Sequence, residues 1–189
     1  MNHRYLQKFQ IKDVVFLAIM SAVALATCAV MPLVISLQPL IFGISQLVTA
    51  LQIGVFFAIG LYKVRKPGSL LIMALMMGLI QLMMSPPMFL SSVLNGVLIE
   101  LIVLLLFRGY ERDAGVFVAA MLHTPLSLPF NYLYNRLIKG ADSPLAAVAD
   151  RAPLAAVGMT LAVVAVSALG ALIGIKIARE LKKSGVLKK

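Results

Sequence analysis

The sequence predicts an all-α integral membrane protein, a six-transmembrane-helix bundle with both termini in the cytoplasm. Three observations predict it. The 189-residue chain is 61% hydrophobic and 13% charged, with a mean hydropathy of +1.00, whereas soluble domains carry about 25% charge. Its apolar residues fall into six windows, each near the length needed to cross a hydrocarbon layer about 30 Å thick. Its basic residues are segregated between the breaks that separate those windows.

The windows lie near 14–36, 41–62, 69–85, 89–107, 114–138 and 153–178, and together they form one membrane domain over 1–189. The opening "MNHRYLQKFQIKD" lacks the apolar core and cleavage site of a secretory signal, so the first helix is expected in the mature protein. Within it "LAIMSAVALA" sets Ala18, Ala22 and Ala26 four residues apart, on one helical face. A helix bathed only in lipid could carry Leu at each position, so a flat partner surface is expected there. The breaks "LQPL", "KVRKPGS", "SPPM", "RGYERDAG" and "KGADSPLAAVADRAP" carry turn chemistry. The third span is short. Pro125 and Pro129 are expected to kink or break the fifth and free backbone carbonyls inside the bundle.

Orientation follows from Lys and Arg. With both ends on one side, that side holds Arg4, Lys8, Lys12, Lys63, Arg65, Lys66, Arg108, Arg112, Lys176, Arg179, Lys182, Lys183, Lys188 and Lys189. The other side holds only Arg136, Lys139 and Arg151. This bias places the termini in the cytoplasm. It also accounts for the net charge of +10 without nucleic acid, because the basic residues flank apolar segments and do not cluster with aromatics. Cys28, the single cysteine, lies in an apolar run and is expected to pack there. No matched halves suggest an inverted repeat. No Walker sequence is present, so ATP is expected to be hydrolysed by partner subunits.

Polar residues inside the spans carry the functional expectation. Glu100 in the fourth span is the one deeply embedded acid, expected near the midplane, and its helix sets Ser92, Gly96 and Glu100 at four-residue spacing beside Asn95. An uncompensated carboxylate there costs about 2.5–3.5 kcal/mol, which leaves a ligand or ion site, or a structural glutamate tying two helices. In the fifth span His123, Ser127, Asn131 and Asn135 share one face, as pocket wall or interhelical glue. Gln46, Thr49, Gln52 and Gln81 complete the set, with Tyr132 and Tyr134 as interface anchors. Amides, one acid and one imidazole suit a small hydrogen-bonding heterocycle, neutral or weakly cationic, entering from outside. No nucleophile–base set or metal-ligand spacing appears, so the chain is expected to be no enzyme and to need no cofactor of its own. The methionines of the third span, Met73, Met76 and Met77 among them, read as adaptable filler.

Six spans in so short a chain, cytoplasmic ends, no ATPase and the alanine ladder resemble an S-component, the substrate-binding subunit of energy-coupling factor (ECF) vitamin transporters. The resemblance implies that Ala18, Ala22 and Ala26 dock on a transmembrane T-component. It also implies that two cytoplasmic ATPase subunits or domains power uptake through a prokaryotic plasma membrane. "VRKPGS" and "NGVLIE" further resemble the thiamine and hydroxymethylpyrimidine branch, over roughly residues 60–110. That branch has further acids in the third helix, where this chain has Ala74 and Gln81. The loss of negative charge argues against permanently cationic thiamine and leaves a neutral pyrimidine or another vitamin. The resemblance implies ligand contacts at Glu100, Asn95, Gln81, His123, Asn131 and Gln46, with the segment "SLQPLIFG" closing over the vitamin. Two other readings remain: a self-contained secondary carrier with Glu100 and His123 as proton relay, and a structural scaffold.

Overall fold

The computed structural model describes residues 8–28, 30, 33–34, 36–140 and 143–186. Among these residues there are seven helices and no strand: α1 (Ile11–Thr27), α2 (Ile44–Lys63), α3 (Ser69–Leu82), α4 (Pro86–Phe107), α5 (Asp113–Leu137), α6 (Pro144–Arg151) and α7 (Pro153–Lys183). Prolines open α4, α6 and α7 from the first turn, where the missing N–H is no loss and the fixed φ favours the helix. Four helices, α2, α4, α5 and α7, are long and apolar enough to cross a membrane. The 14 residues of α3 span only about 21 Å.

Two boundaries differ from expectation for physical reasons. The first helix ends at Thr27, short of residue 36: the Thr27 hydroxyl donates to the Ala24 carbonyl at 2.8 Å, and the Cys28 N–H turns back to Leu25. Ala29, Met31, Pro32 and Ile35, inside the expected window, lie outside the described residues. The connection after α5 carries α6, whose two buried alanines, Ala146 and Ala149, turn inward. The amphipathic stretch is too short to register as an apolar window. Conversely, α5 runs unbroken through Pro125 and Pro129, leaving the carbonyls of Met121 and Pro125 without their usual helical donors.

Helix α2 is the hub. It packs on α1, α5 and, most extensively, α7. That last seam is built from glycine: a Cβ on Gly170 would lie 2.5 Å from the Leu51 carbonyl oxygen, and one on Gly174 would lie 2.4 Å from that of Val55. Around α2 the side chains of Leu17, Phe57, Leu61, Leu70, Met73, Ile99 and Val103 are fully buried. Leucines and isoleucines instead cover the outside, such as Leu105 at 81% exposure and Leu154 at 88%. Such an exterior suits lipid and not water.

Arg65, Lys66 and Arg179 meet acidic partners at one end of the bundle. There Asp113, in the first turn of α5, pairs with both Arg65 and Arg179, where the helix dipole also favours its charge. Lys66 reaches Asp13 of α1 at 2.6 Å, and the guanidinium of Arg65 lies 4.1 Å from the Tyr62 ring centroid. These ion pairs are partly exposed and individually worth little; their effect is to join α1, the 64–68 turn, α5 and α7 at that end. Arg4, Lys188 and Lys189 of the expected basic side lie outside the described residues. At the opposite end Arg136 and Tyr132 both bind the Asp150 carboxylate, so Tyr132 ties α5 to α6.

Candidate binding cavity

Away from the basic end, α2, α3, α4 and α5 part around a cavity of about 200 Å³. The four-residue ladder of α5 lines it from His123 through Ser127 and Asn131 to Asn135, facing Gln46 and Thr49 of α2, Gln81 of α3, and Ser92 and Asn95 of α4. Five of the six expected contacts therefore share one cavity: Asn95, Gln81, His123, Asn131 and Gln46. The segment between α1 and α2 adds Gln38, which donates to Ser45, and Ser45 in turn donates to the Gln46 oxygen at 2.9 Å. Gln52 does not line the cavity, although the sequence grouped it with the others.

Glu100 departs from the expectation. It does not line the cavity, and both its oxygens are occupied: one accepts the Gly68 backbone N–H at 2.6 Å and the other the Tyr110 hydroxyl at 2.8 Å. Glu100 lies about two turns before the end of α4, beside Tyr110 and the 64–68 turn, and so meets the N-terminus of α3, whose own first turn has no acid to supply the negative charge that the helix dipole favours. Gly68, at φ 90°, holds a left-handed turn that turns its N–H toward the carboxylate. The buried Tyr110 sits in the connection after α4; burial and the adjacent carboxylate push its phenol well above the ordinary value, so it stays a donor. "RKPGS" and "NGVLIE" are thus two halves of one joint. Within the second, Asn95 faces the cavity, Gly96 admits Ala74 (a Cβ there would sit 2.5 Å from the Ala74 Cβ) and Glu100 caps α3.

Glu100→Ala is accordingly expected to act on the fold and not on binding. It strips a buried hydroxyl and a helix N-terminus of their acceptor, at a cost of about 2–4 kcal/mol. Thermal denaturation of detergent-purified protein should show the loss, while ligand affinity of the folded fraction stays within about twofold of wild type. A hundredfold loss of affinity at unchanged stability would return Glu100 to the ligand.

Within the cavity the polar groups divide into satisfied and unsatisfied. Ser92 donates to the Ala74 carbonyl at 2.9 Å, Ser127 to that of Thr124 at 2.7 Å, and Asn135 is held by Asn131 and Ser143. By contrast the Asn95 oxygen, both ring nitrogens of His123 and the Thr124 hydroxyl are buried with no partner among the described residues. Each such group costs about 1–3 kcal/mol when left unpaired, so an incoming ligand that pairs them gains what the empty fold forgoes. His123 is held from behind by Phe57, ring centroids 4.4 Å apart. Thr124 was missed in the sequence; its signal was adjacency to His123 just before Pro125. Among the described residues no Asp or Glu lines the cavity, and the one Lys or Arg that does is the exposed Lys139. No group of three or more His, Cys, Asp or Glu among the described residues could hold a metal.

The expected docking alanines stand elsewhere. α1 packs on α2 and α3 through Leu17, Ser21 and Ala24, and takes no part in the cavity wall. Ser21 donates to the carbonyls of Leu17 and Met73, fastening α1 to α3. Ala22 and Ala26 are exposed and Ala18 half-buried, on the face turned away from the bundle.

A family model described as "Hypothetical bacterial integral membrane protein (Trep_Strep)" matches residues 11–183. Among solved structures the chain is similar to one titled "Crystal structure of an S-component of ECF transporter". The TM-score is 0.64 at 21% identity, covering 95% of this chain and 89% of that one. At this identity the likeness establishes a shared fold. Comparison with curated proteins gives no match.

Proposed function

We infer that this chain, which belongs to the Trep_Strep family of bacterial integral membrane proteins, is the substrate-capture subunit of an ECF-type importer. The observation that carries the reading is a carboxamide-lined cavity with buried, unpaired polar groups, enclosed by four helices of an S-component-like bundle. Hydrophilic groups held this way in a lipid-facing protein mark a ligand site by default. In this reading α1 and α3 complete six spans of a single membrane domain, both termini are cytoplasmic, and the protein resides in the plasma membrane. The fourteen-to-three division of basic residues supports that orientation. The cavity then opens outward. The substrate is a small vitamin or precursor, and of the two favoured by the sequence the uncharged hydroxymethylpyrimidine suits a wall whose described residues include no carboxylate better than cationic thiamine.

The ligand enters between Gln38, Gln46 and Asn131 and is held by Gln81, Asn95 and His123. The loaded subunit meets a T-component through the Ala18, Ala22 and Ala26 face, and two cytoplasmic ATPase subunits or domains drive release. The chain itself contributes capture and no ATP chemistry. A proton relay through Glu100 and His123 is disfavoured, because Glu100 caps α3 and only His123 faces the cavity.

Reconstitution tests the reading. Chain alone in liposomes should bind hydroxymethylpyrimidine without accumulating it, and accumulation should require a co-reconstituted T-component, ATPases and ATP. Accumulation by the chain alone, driven by a proton gradient, would establish the secondary carrier instead.

A further inference from the structure

We propose that the cavity selects an uncharged, unphosphorylated nitrogen heterocycle whose edge sets a hydrogen-bond donor beside an acceptor, read by the Asn95 carboxamide and the His123 ring. The proposal rests on the capture reading and names what is captured.

Three observations converge on this class. The first is the chemistry of the wall. Gln38, Gln46, Gln81, Asn95, Asn131 and Asn135 give the cavity six carboxamides. A carboxamide offers N–H donors next to a carbonyl acceptor, and its best planar partner is an edge of the same kind reversed. An amino group beside a ring nitrogen, or an N–H beside a carbonyl, is such an edge, as in the pairing of Asn or Gln with adenine. The second is where the demand lies. Asn95 is 1% exposed and His123 4% exposed, on different helices, and both carry polar atoms without partners in the described protein. The Asn135 carboxamide, by contrast, already donates to the Asn131 main-chain carbonyl and accepts from Ser143. Recognition therefore concentrates at the deep end. Phe57 packs against the His123 ring, centroids 4.4 Å apart and planes tilted by 45°; an uncharged imidazole presents one donor and one acceptor.

The third observation is charge. Among the described residues no carboxylate lines the wall, so a permanent cation would lose its hydration and meet nothing of opposite sign there. A phosphate ester, carrying close to two charges, would meet among them only Lys139 at the exposed rim. The cost of desolvation disfavours both.

The test uses full-length protein in detergent. The chain has no tryptophan, and its single cysteine, Cys28, is buried, so a thiol-reactive fluorophore reports unfolding directly. The probes are hydroxymethylpyrimidine, cytosine, adenine and riboflavin; the N,N-dimethylamino analogue of each amino compound; and thiamine, thiamine phosphate and pantothenate. At least one uncharged ring with the paired edge should stabilise the protein, and its dimethylated or charged counterpart should bind about a hundredfold more weakly. Asn95→Leu should abolish that binding. His123→Gln, which restores a donor and an acceptor, should keep more of it than His123→Phe, and the stability of each unliganded variant is read in the same assay. Should thiamine, thiamine phosphate or pantothenate bind tightest, or should Asn95→Leu bind normally, the edge proposal falls and capture stands. Should no probe shift unfolding, the capture reading falls with it.

Discussion

Gly174→Val should leave little folded protein to purify. The new Cβ would lie 2.4 Å from the Val55 carbonyl oxygen and 2.9 Å from the Val55 Cα. Those atoms belong to the backbone of α2, which cannot rotate aside as a side chain would. Relief requires α7 to move off α2, and α2 is packed in turn on α1 and α5 and lines the cavity with Gln46 and Thr49. Overpacking by a methylene or two usually costs about 1–3 kcal/mol; a clash against backbone in the most extensive seam should exceed about 4 kcal/mol, the range that unfolds a marginal protein. Gly170→Val should behave alike, since its Cβ would meet the Leu51 backbone. The control is Gly158→Val, four turns toward the start of the same helix, where a Cβ meets nothing within 4 Å. Size-exclusion profiles and thermal midpoints of the three variants check the expectation. A monodisperse Gly174→Val protein with an unchanged midpoint would mean that the seam can open without loss.

That seam also shows what a single sequence makes legible. Apolar windows and the ladder of His123, Ser127, Asn131 and Asn135 were readable because each follows from a local rule: length against bilayer thickness, four residues per turn. The five cavity residues came together for a related reason, since a polar group in a membrane helix has few places to point other than inward. Glu100 obeyed the same rule and still misled. The rule says that an intramembrane acid needs a partner, but not whether the partner is a ligand or the N-terminus of a neighbouring helix. Only the placing of Gly68 and Tyr110 beside Glu100 decides between them, and that placing is tertiary information. One clue was present: α3 begins after a glycine with no acid in its first turn, so its dipole had to be answered from elsewhere. The end of α1 was obscured differently: apolar residues continue past Thr27 through Val30, Leu33 and Val34, so apolar length alone did not mark where the helix stops. The short α6 was obscured because amphipathicity over eight residues resembles a loop with a few alanines.

Ala22→Leu should abolish uptake while leaving capture intact. Ala22 is exposed on α1 and takes no part in the wall of the cavity, which α2, α3, α4 and α5 form. Its outward neighbours are apolar too, Val15 and Ile19 at 50% exposure each, so a leucine facing lipid should shift stability by no more than about 0.5 kcal/mol. Against a partner helix the same leucine is a wedge. Small residues four apart let two helix backbones approach closely, and a branched side chain between them forfeits that contact. The opposite face of α1 gives the contrast: Ser21 is buried and bonded to Met73, so Ser21→Leu should lower the thermal midpoint directly. Binding of the ligand identified above, measured on purified Ala22→Leu protein, should match wild type within about twofold, while ATP-dependent accumulation in cells or co-reconstituted vesicles falls to background. Normal accumulation would remove α1 from the partner interface and leave its alanines as lipid-facing residues of small size. Loss of binding together with accumulation would mean that α1 reaches the cavity through α3, whose Gln81 lies on the wall and whose Met73 carbonyl is held by Ser21. Capture and docking would then be coupled through that one hydrogen-bonded contact between α1 and α3.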